Sequence, residues 1–356
     1  MTLRFSPSFR SLGALAALVA VGLSGCSSVM DDDYDTRAIE PLSYALVSEM
    51  RQAGMTQSDA ILIRIFKEES ELEVWKVDES GVFALLRTYP ICRWSGQLGP
   101  KTVAGDRQAP EGFYSVTAAQ MNPTSRYWLS FDLGYPNRLE RALGYTGDSL
   151  MVHGACSSAG CFAMTDEGVA DIYALAREAF AGGQTAIQVQ SFPFRMTPEN
   201  LAAHRDNENM PFWMNLKEGY DAFEVTRQAP RVAYCNRRYV FNAIAEPDAV
   251  FEPLGACPTY QVEPTAGQLV AIRAAAEEAQ MAALLRSGSL GAALSYQDGG
   301  MHVDFRAQLR RYGAERLAQM TSRSTPVSRP DAALADPYDP NDRIHTASTS
   351  AVGFNR

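Results

Sequence analysis

One stretch limits what this chain can fold into: Met151-Val-His-Gly-Ala-Cys-Ser-Ser-Ala-Gly-Cys-Phe-Ala-Met164, which runs directly into the segment Thr165 to Phe180. Ser149 to His153 reads as a strand, and Gly160 permits a tight turn. Val169, Ile172, Tyr173, Ala176 and Phe180 then recur at helical spacing. Thr165 suits the N-cap, and Asp166 and Glu167 suit the first turn, where the helix dipole favours acids. The pattern is therefore strand, tight turn, helix. It places Cys161 a few residues before a helix start and His153 eight positions before Cys161. A thiol becomes a nucleophile when a neighbouring base favours its thiolate, and imidazole is the base suited to neutral pH. Backbone N–H groups around Gly160 and Cys161, with Ser158 beside them, can hold a developing oxyanion.

These residues resemble the active-site motif of the YkuD-type L,D-transpeptidases, in which an upstream His-Gly is followed by Ser-His-Gly-Cys. His153-Gly154 matches the first part and Ser158-Ala159-Gly160-Cys161 the second. Ala159 stands where the signature has histidine, and the intervening loop is short; both departures resemble the YafK-like subgroup. The stretches Gly99-Pro-Lys-Thr-Val-Ala-Gly-Asp106, Ala109-Pro-Glu-Gly-Phe-Tyr-Ser115, Gly134-Tyr-Pro-Asn137 and Asn215-Leu-Lys-Glu-Gly-Tyr-Asp-Ala-Phe-Glu224 carry the resemblance from Ile61 to Tyr239. It implies an α+β fold, mainly β: a YkuD-like β-sandwich or mixed sheet, with the cysteine just before a helix. It also implies Cys161 as nucleophile and His153 as its general base and acid, with no cofactor and no metal. The implied donor is a peptidoglycan stem peptide attacked at an amide next to diaminopimelate. The alternative outcome is hydrolysis that releases a covalently attached envelope protein from the wall. Arg126, Asn137 and Arg141 are the candidates for substrate contact. Guanidinium forks match carboxylates, while solvated charge or a structural ion pair is the competing account of Arg138 and Arg141.

Compartment follows from the N-terminus and the cysteines. Arg4 and Arg10 precede an apolar run, Leu12 to Val21, too short to span a bilayer comfortably. Leu23-Ser24-Gly25-Cys26 resembles a lipobox, which implies a signal peptide over residues 1–25 and lipid on Cys26. Ser27 follows rather than Asp, pointing to the periplasm and the inner face of the outer membrane, reached through the lipid. An ordinary secretory signal with a chance cysteine is the rival. Six cysteines, Cys26 included, leave five in an oxidising compartment, enough for two disulfides and one working thiol. Cys235–Cys257 and Cys92–Cys156 would leave Cys161 free; a Cys156–Cys161 bridge is the competing connectivity and would silence the enzyme. The net charge of −9, or −11 once Arg4 and Arg10 are removed, argues against a nucleic-acid partner.

The remainder divides by composition. Residues 26–56 read as a lipidated tether with a short helix, 57–191 as the catalytic domain and 192–260 as a family C-terminal subdomain. Residues 261–320 read as a helical extension, including one helix from His302 to Met320, and 321–356 as a disordered tail. Strands are expected at Ala60 to Phe66, Leu72 to Val77, Val82 to Ile91, Phe113 to Thr117, Tyr127 to Phe131 and Ala186 to Gln190, with a hairpin turning at Asn236-Arg237. The Gly- and Pro-rich run Trp94 to Gly112 reads as a cleft wall. Two other chemistries compete. His153, Cys156 and Cys161 with Glu167 are a zinc set without paired close spacings, and a catalytically silent peptidoglycan-binding module is the other. His204, His302 and His345 have no cysteine or carboxylate cluster near them in sequence.

Overall fold

The computed structural model describes residues 33–288, 294, 296–322, 326–327 and 329–338. The expected signal peptide, Cys26 and His345 lie outside them. The Ser43 hydroxyl accepts from the Leu46 N–H (3.2 Å) and opens a helix by capping it; this is α2 (Tyr44–Gln52), which follows α1 (Asp33–Ile39). The chain continues through β1 (Ile61–Phe66), β2 (Glu71–Val77), β3 (Phe83–Pro90), β4 (Arg93–Trp94), β5 (Gly112–Val116), β6 (Met121–Asn122), β7 (Ser130–Asp132), α3 (Arg138–Ala142), β8 (Met151–His153), β9 (Phe162–Ala163), α4 (Asp166–Ala181) and β10 (Ile187–Phe192). Beyond it lie α5 (Pro198–Ala203), α6 (Met210–Thr226), β11 (Val232–Cys235), β12 (Arg238–Phe241), β13 (Ala243–Ala245), β14 (Tyr260–Val262), α7 (Pro264–Ser287), α8 (Val303–Tyr312), α9 (Ala314–Thr321) and α10 (Pro330–Ala333).

Two five-stranded sheets result. The first has the order β3-β2-β1-β10-β5, with β1 and β10 parallel and the other pairs antiparallel. The second has the order β4-β9-β8-β7-β6, again with one parallel pair, β8–β9. β1 is buried at every residue, as a continuous apolar run in a sheet centre requires. Thr165 caps α4, its hydroxyl accepting from the Gly168 N–H (2.9 Å). That helix buries Val169, Ile172, Leu175 and Ala176 against strands of both sheets, including β1, β7 and β8.

The expected mainly-β sandwich is wrong. The fold is mixed α/β, its sheets are open, and helices hold at least as much of the described chain as strands. The expectation drawn from the resemblance overstated the strands. Those of the second sheet are two or three residues long, and Tyr127 to Phe131 contributes only its end to β7 because Trp128 takes a left-handed turn (φ 71°). The single helix expected from His302 to Met320 is broken at Gly313, whose φ is 80°. Within the segment expected to be disordered, Val327, Leu334 and Ala335 are buried. Among the described residues no helix is long and apolar enough to cross a membrane.

The loop between β4 and β5 is fastened to the first sheet by one buried charge. The Lys67 ammonium donates to the Glu111 carboxylate (2.8 Å) and to the carbonyls of Gln97 (2.7 Å), Ala109 (3.0 Å) and Gly99 (3.3 Å). Glu111 also accepts from Gly99 N (2.7 Å) and Trp213 Nε1 (2.8 Å). Neither side chain reaches solvent, so burial pulls the Lys67 pKa down while Glu111 pulls it back up. Glu111→Gln preserves the shape but leaves the ammonium without a counter-charge. It should cost roughly 3–5 kcal/mol in urea unfolding, and Lys67→Met with Glu111→Leu should recover much of that. An unchanged urea midpoint for Glu111→Gln would show that the pair anchors nothing.

Candidate active site

β8 and β9 run parallel, with Val152 opposite Phe162 and His153 opposite Ala163. Val152 and Phe162 point into the core. Alternation then puts His153, Met151 and Cys161 on the opposite face. Asp132 lies across from Met151 and Ser130 across from His153 on β7. The histidine and the cysteine therefore share one face, displaced along neighbouring strands.

His153 is buried, with 4% of its surface exposed. Its Nδ1 lies 2.5 Å from the Gly154 carbonyl, which fixes the tautomer: Nδ1–H donates there and leaves Nε2 basic. The Tyr127 ring packs on the imidazole with centroids 4.8 Å apart. Burial pushes the His153 pKa down to about 4, opposed only by the Gly154 bond. Cys161 is the free thiol among the described cysteines and is partly exposed. Its sulfur accepts from Met151 N (3.4 Å) and donates to the Ser149 carbonyl (3.9 Å) rather than bonding the imidazole. Burial raises its pKa, and Asp132 adds to that; the Met151 N–H and Lys101 act the other way. Both groups are thus neutral at rest, with the thiol turned towards Ser149.

The loop between them is held on every side. Ala155 and Cys156 both have positive φ (64° and 43°), a costly conformation for residues with a Cβ. The Ala155 N–H donates to the Asp166 carboxylate (2.9 Å), and Cys156 N donates to the Met164 carbonyl (3.2 Å). Cys156 is bonded to Cys92, and the other disulfide joins Cys235 to Cys257. With Cys156 in that bridge, the zinc alternative lacks one of its thiolates. Gly154 has no room for a side chain: a Cβ would sit 2.7 Å from the Asp166 carboxylate and 2.9 Å from the Tyr127 carbonyl. Ser158 builds the turn, its hydroxyl donating to the Cys161 carbonyl (2.7 Å), accepting from Gly160 N (3.3 Å) and lying 3.1 Å from the Ser95 hydroxyl. The Gly160 N–H is therefore engaged by Ser158.

The chain after residue 294 braces this loop. Gly300 bridges Trp94 at the edge of β4, with both backbone bonds at 3.1 Å. Asp298 accepts from Gly96 N (2.8 Å) and pairs with Arg107 (2.7 Å), and Arg107 also reaches the Ser158 carbonyl (3.4 Å). Met301, Phe305, Leu317, Ala318 and Leu334 pack on the Cys92–Cys156 bridge.

The other predicted site residues lie elsewhere. Asn137 caps α3, accepting from Glu140 N (3.0 Å) and donating to Tyr239 Oη (2.7 Å) and the Phe113 carbonyl (3.2 Å), so its polar atoms serve the fold. Arg141 is exposed on α3, and Arg126 is exposed in the turn before Tyr127. His204 stacks on Phe194 (4.6 Å between centroids) and meets Glu68 (3.1 Å), and His302 lies 3.8 Å from Glu71. Sequence reasoning missed Asp166, Tyr127, Arg107 and Asp298. Asp166 carried a signal, an acid at a helix start, that was read only as dipole chemistry.

Two measurements probe this arrangement. An unfolded chain protonates His153 at its ordinary value, ~6.5, while the folded chain resists down to about 4. The stability due to the neutral imidazole is complete above ~6.5 and is lost as pH falls through that window, at up to ~1.4 kcal/mol per unit. His153→Gln should remove this component, so a wild-type minus variant difference that stays constant across the window would contradict it. Asp298→Ala should release Arg107 and speed amide hydrogen exchange around Ser158 about tenfold, as expected for losing a charge-assisted bond of ~1.5 kcal/mol, with exchange in β1 unchanged. Equal protection of the loop in both proteins would remove Asp298 from the brace.

Residues 62–189 match the YkuD family, described as the L,D-transpeptidase catalytic domain. The chain is 46% identical over 183 residues to YafK of Escherichia coli K12, covering 51% of this chain and 74% of that protein. The same values hold for YafK of E. coli O157:H7, and both names assign the proteins provisionally to the L,D-transpeptidases. Among solved structures, the helical cell shape determining protein Pgp2 of Campylobacter jejuni aligns at 20% identity and TM-score 0.31, over 42% of this chain and 56% of that one. Bd1075 of Bdellovibrio bacteriovorus aligns at 13% identity and TM-score 0.27, over 54% and 90%. Both superpose only in part. The extent and identity of the YafK match establish that the chain belongs to the YkuD family of L,D-transpeptidases, in close relation to the YafK proteins.

Proposed function

We propose that this protein performs cysteine-dependent acyl transfer at diaminopimelate amides of peptidoglycan stem peptides, through a thioester on Cys161. The observation that carries the reading is the free Cys161 thiol on the same sheet face as His153, whose Nδ1 is tied to the Gly154 carbonyl. Family membership supports transpeptidase- or amidase-type chemistry in general.

The steps follow from the two groups. Nε2 of His153 takes the proton from Sγ of Cys161. The thiolate adds to the amide carbonyl carbon, and the oxyanion lies against the Cys161 N–H. As the C–N bond breaks, Nε2 returns the proton to the departing amine. An acceptor amine or water then attacks the thioester, giving its proton to Nε2, and the restored thiolate leaves and regains it. A depressed imidazole pKa and a raised thiol pKa keep the resting pair neutral, so charge separates only when substrate is present. Two disulfides fit an oxidising compartment. We place the protein in the periplasm, held through lipid on Cys26.

The test is product analysis by mass spectrometry with tetrapeptide-bearing and protein-linked muropeptides. Wild type should yield crosslinked or protein-linked product by transfer, or shortened peptide and released protein by hydrolysis. Cys161→Ala should yield none of them. His153→Ala should lose at least a hundredfold in rate, the contribution typical of a positioned base. Unchanged turnover in Cys161→Ala would remove the assignment.

A further inference from the structure

Between α3 and the β11–β12 ribbon the surface is hollowed into a groove of about 550 Å3, with Phe113, Tyr114 and Ser115 of the edge strand β5 among its lining residues. Three guanidinium-bearing residues line it: Arg138 and Arg141 from α3, and Arg231 just before β11. No aspartate or glutamate does. Arg138 has one ion pair, to Glu252 at 3.2 Å, with both side chains more than half exposed, the kind of pair that holds little. Among the described residues the Arg141 and Arg231 side chains make no ion pair or hydrogen bond. The chain holds 41 acidic against 32 basic residues, so a groove with three arginines and no lining acid runs against its overall balance. Apart from the exposed Arg138–Glu252 pair and the Glu140 charge acting on Arg141, little opposes these like charges, and an anion with planar acceptors relieves their repulsion.

The groove lies close enough to the thiol to act on the same molecule. Gly134, one of its lining residues, donates to the Asp132 carboxylate (2.7 Å). Asp132 pairs with Met151, and the Met151 N–H meets the Cys161 sulfur. Two interstrand steps of ~4.8 Å and two residues of ~3.5 Å put the near rim within roughly 17 Å of Cys161.

We propose that this groove binds the free carboxylates of the peptide whose amide reaches Cys161, so that Arg138, Arg141 and Arg231 select substrates with several uncapped carboxylates. The identity of the peptide rests on the proposed function; the carboxylate chemistry rests on the groove alone.

The test uses the full chain carrying Cys161→Ala, titrated calorimetrically with the tripeptide L-Ala-γ-D-Glu-meso-diaminopimelate and with the same peptide converted to its carboxamides. R138Q/R141Q/R231Q should weaken tripeptide binding tenfold or more, and wild-type arginines should bind the carboxamide as weakly as the triple variant binds the tripeptide. R138K/R141K/R231K should recover part of the loss, and raised ionic strength should reduce tripeptide binding. Near-equal affinity in the triple glutamine variant, or for the two peptides, would overturn the proposal. So would acetate at matched carboxylate concentration displacing the tripeptide, which would reduce the groove to an unselective cationic surface. The readout is binding without turnover. Persistent activity in Cys161→Ala therefore defeats the proposed reaction and leaves the groove standing, whereas an arginine-independent affinity defeats the groove and leaves the reaction standing.

Discussion

The site depends on an ammonium group with no access to water. Lys67 follows the central strand β1, and its charge is shared among one carboxylate and three carbonyls of the loop between β4 and β5. That loop carries Ser95 and Arg107, which hold Ser158, and Ser158 holds the Cys161 carbonyl. The order at the thiol is therefore inherited from the sheet centre through a relay of polar contacts. A buried charge suits this task because loss of its partner costs far more than loss of one apolar contact.

A second constraint is conformational. Two consecutive non-glycine residues in left-handed geometry are unfavourable alone, and a disulfide, a carboxylate and a sheet edge over-determine them here. The strain lies in the loop between His153 and Cys161. Beside that loop the Tyr127 ring packs on His153 and the Gly154 carbonyl holds Nδ1, so position and low basicity are set together by burial.

The candidate site was legible because it is local: His153, Gly154, Ser158, Gly160 and Cys161 fall within one short stretch, and helix α4 announced itself by its apolar face and its threonine cap. The brace was not legible. Asp298 lies 191 residues from Arg107, in a segment read from its sequence only as a helical extension. Nor did composition reveal that Asn137 spends its polar atoms on a helix cap and a tyrosine. The mainly-β fold class came with the resemblance, and the strand pattern did not correct it. Short alternating runs register as strands wherever they occur, but strands of two or three residues add little sheet, while α4, α6 and α7 fill much of the chain. Gly313 could have been read as a helix breaker, and its left-handed angle explains the division there.

The position of Asp298 in the chain also bears on when this loop is finished. Synthesis proceeds from the N-terminus, and earlier segments collapse first. The strands carrying His153 and Cys161, and the loop from β4 to β5, all emerge well before the residue that clamps Arg107 in place. A chain not yet extended to Asp298 would hold Cys161 on a loop still missing one of its restraints, so the clamp on Arg107 is among the last of these contacts to form.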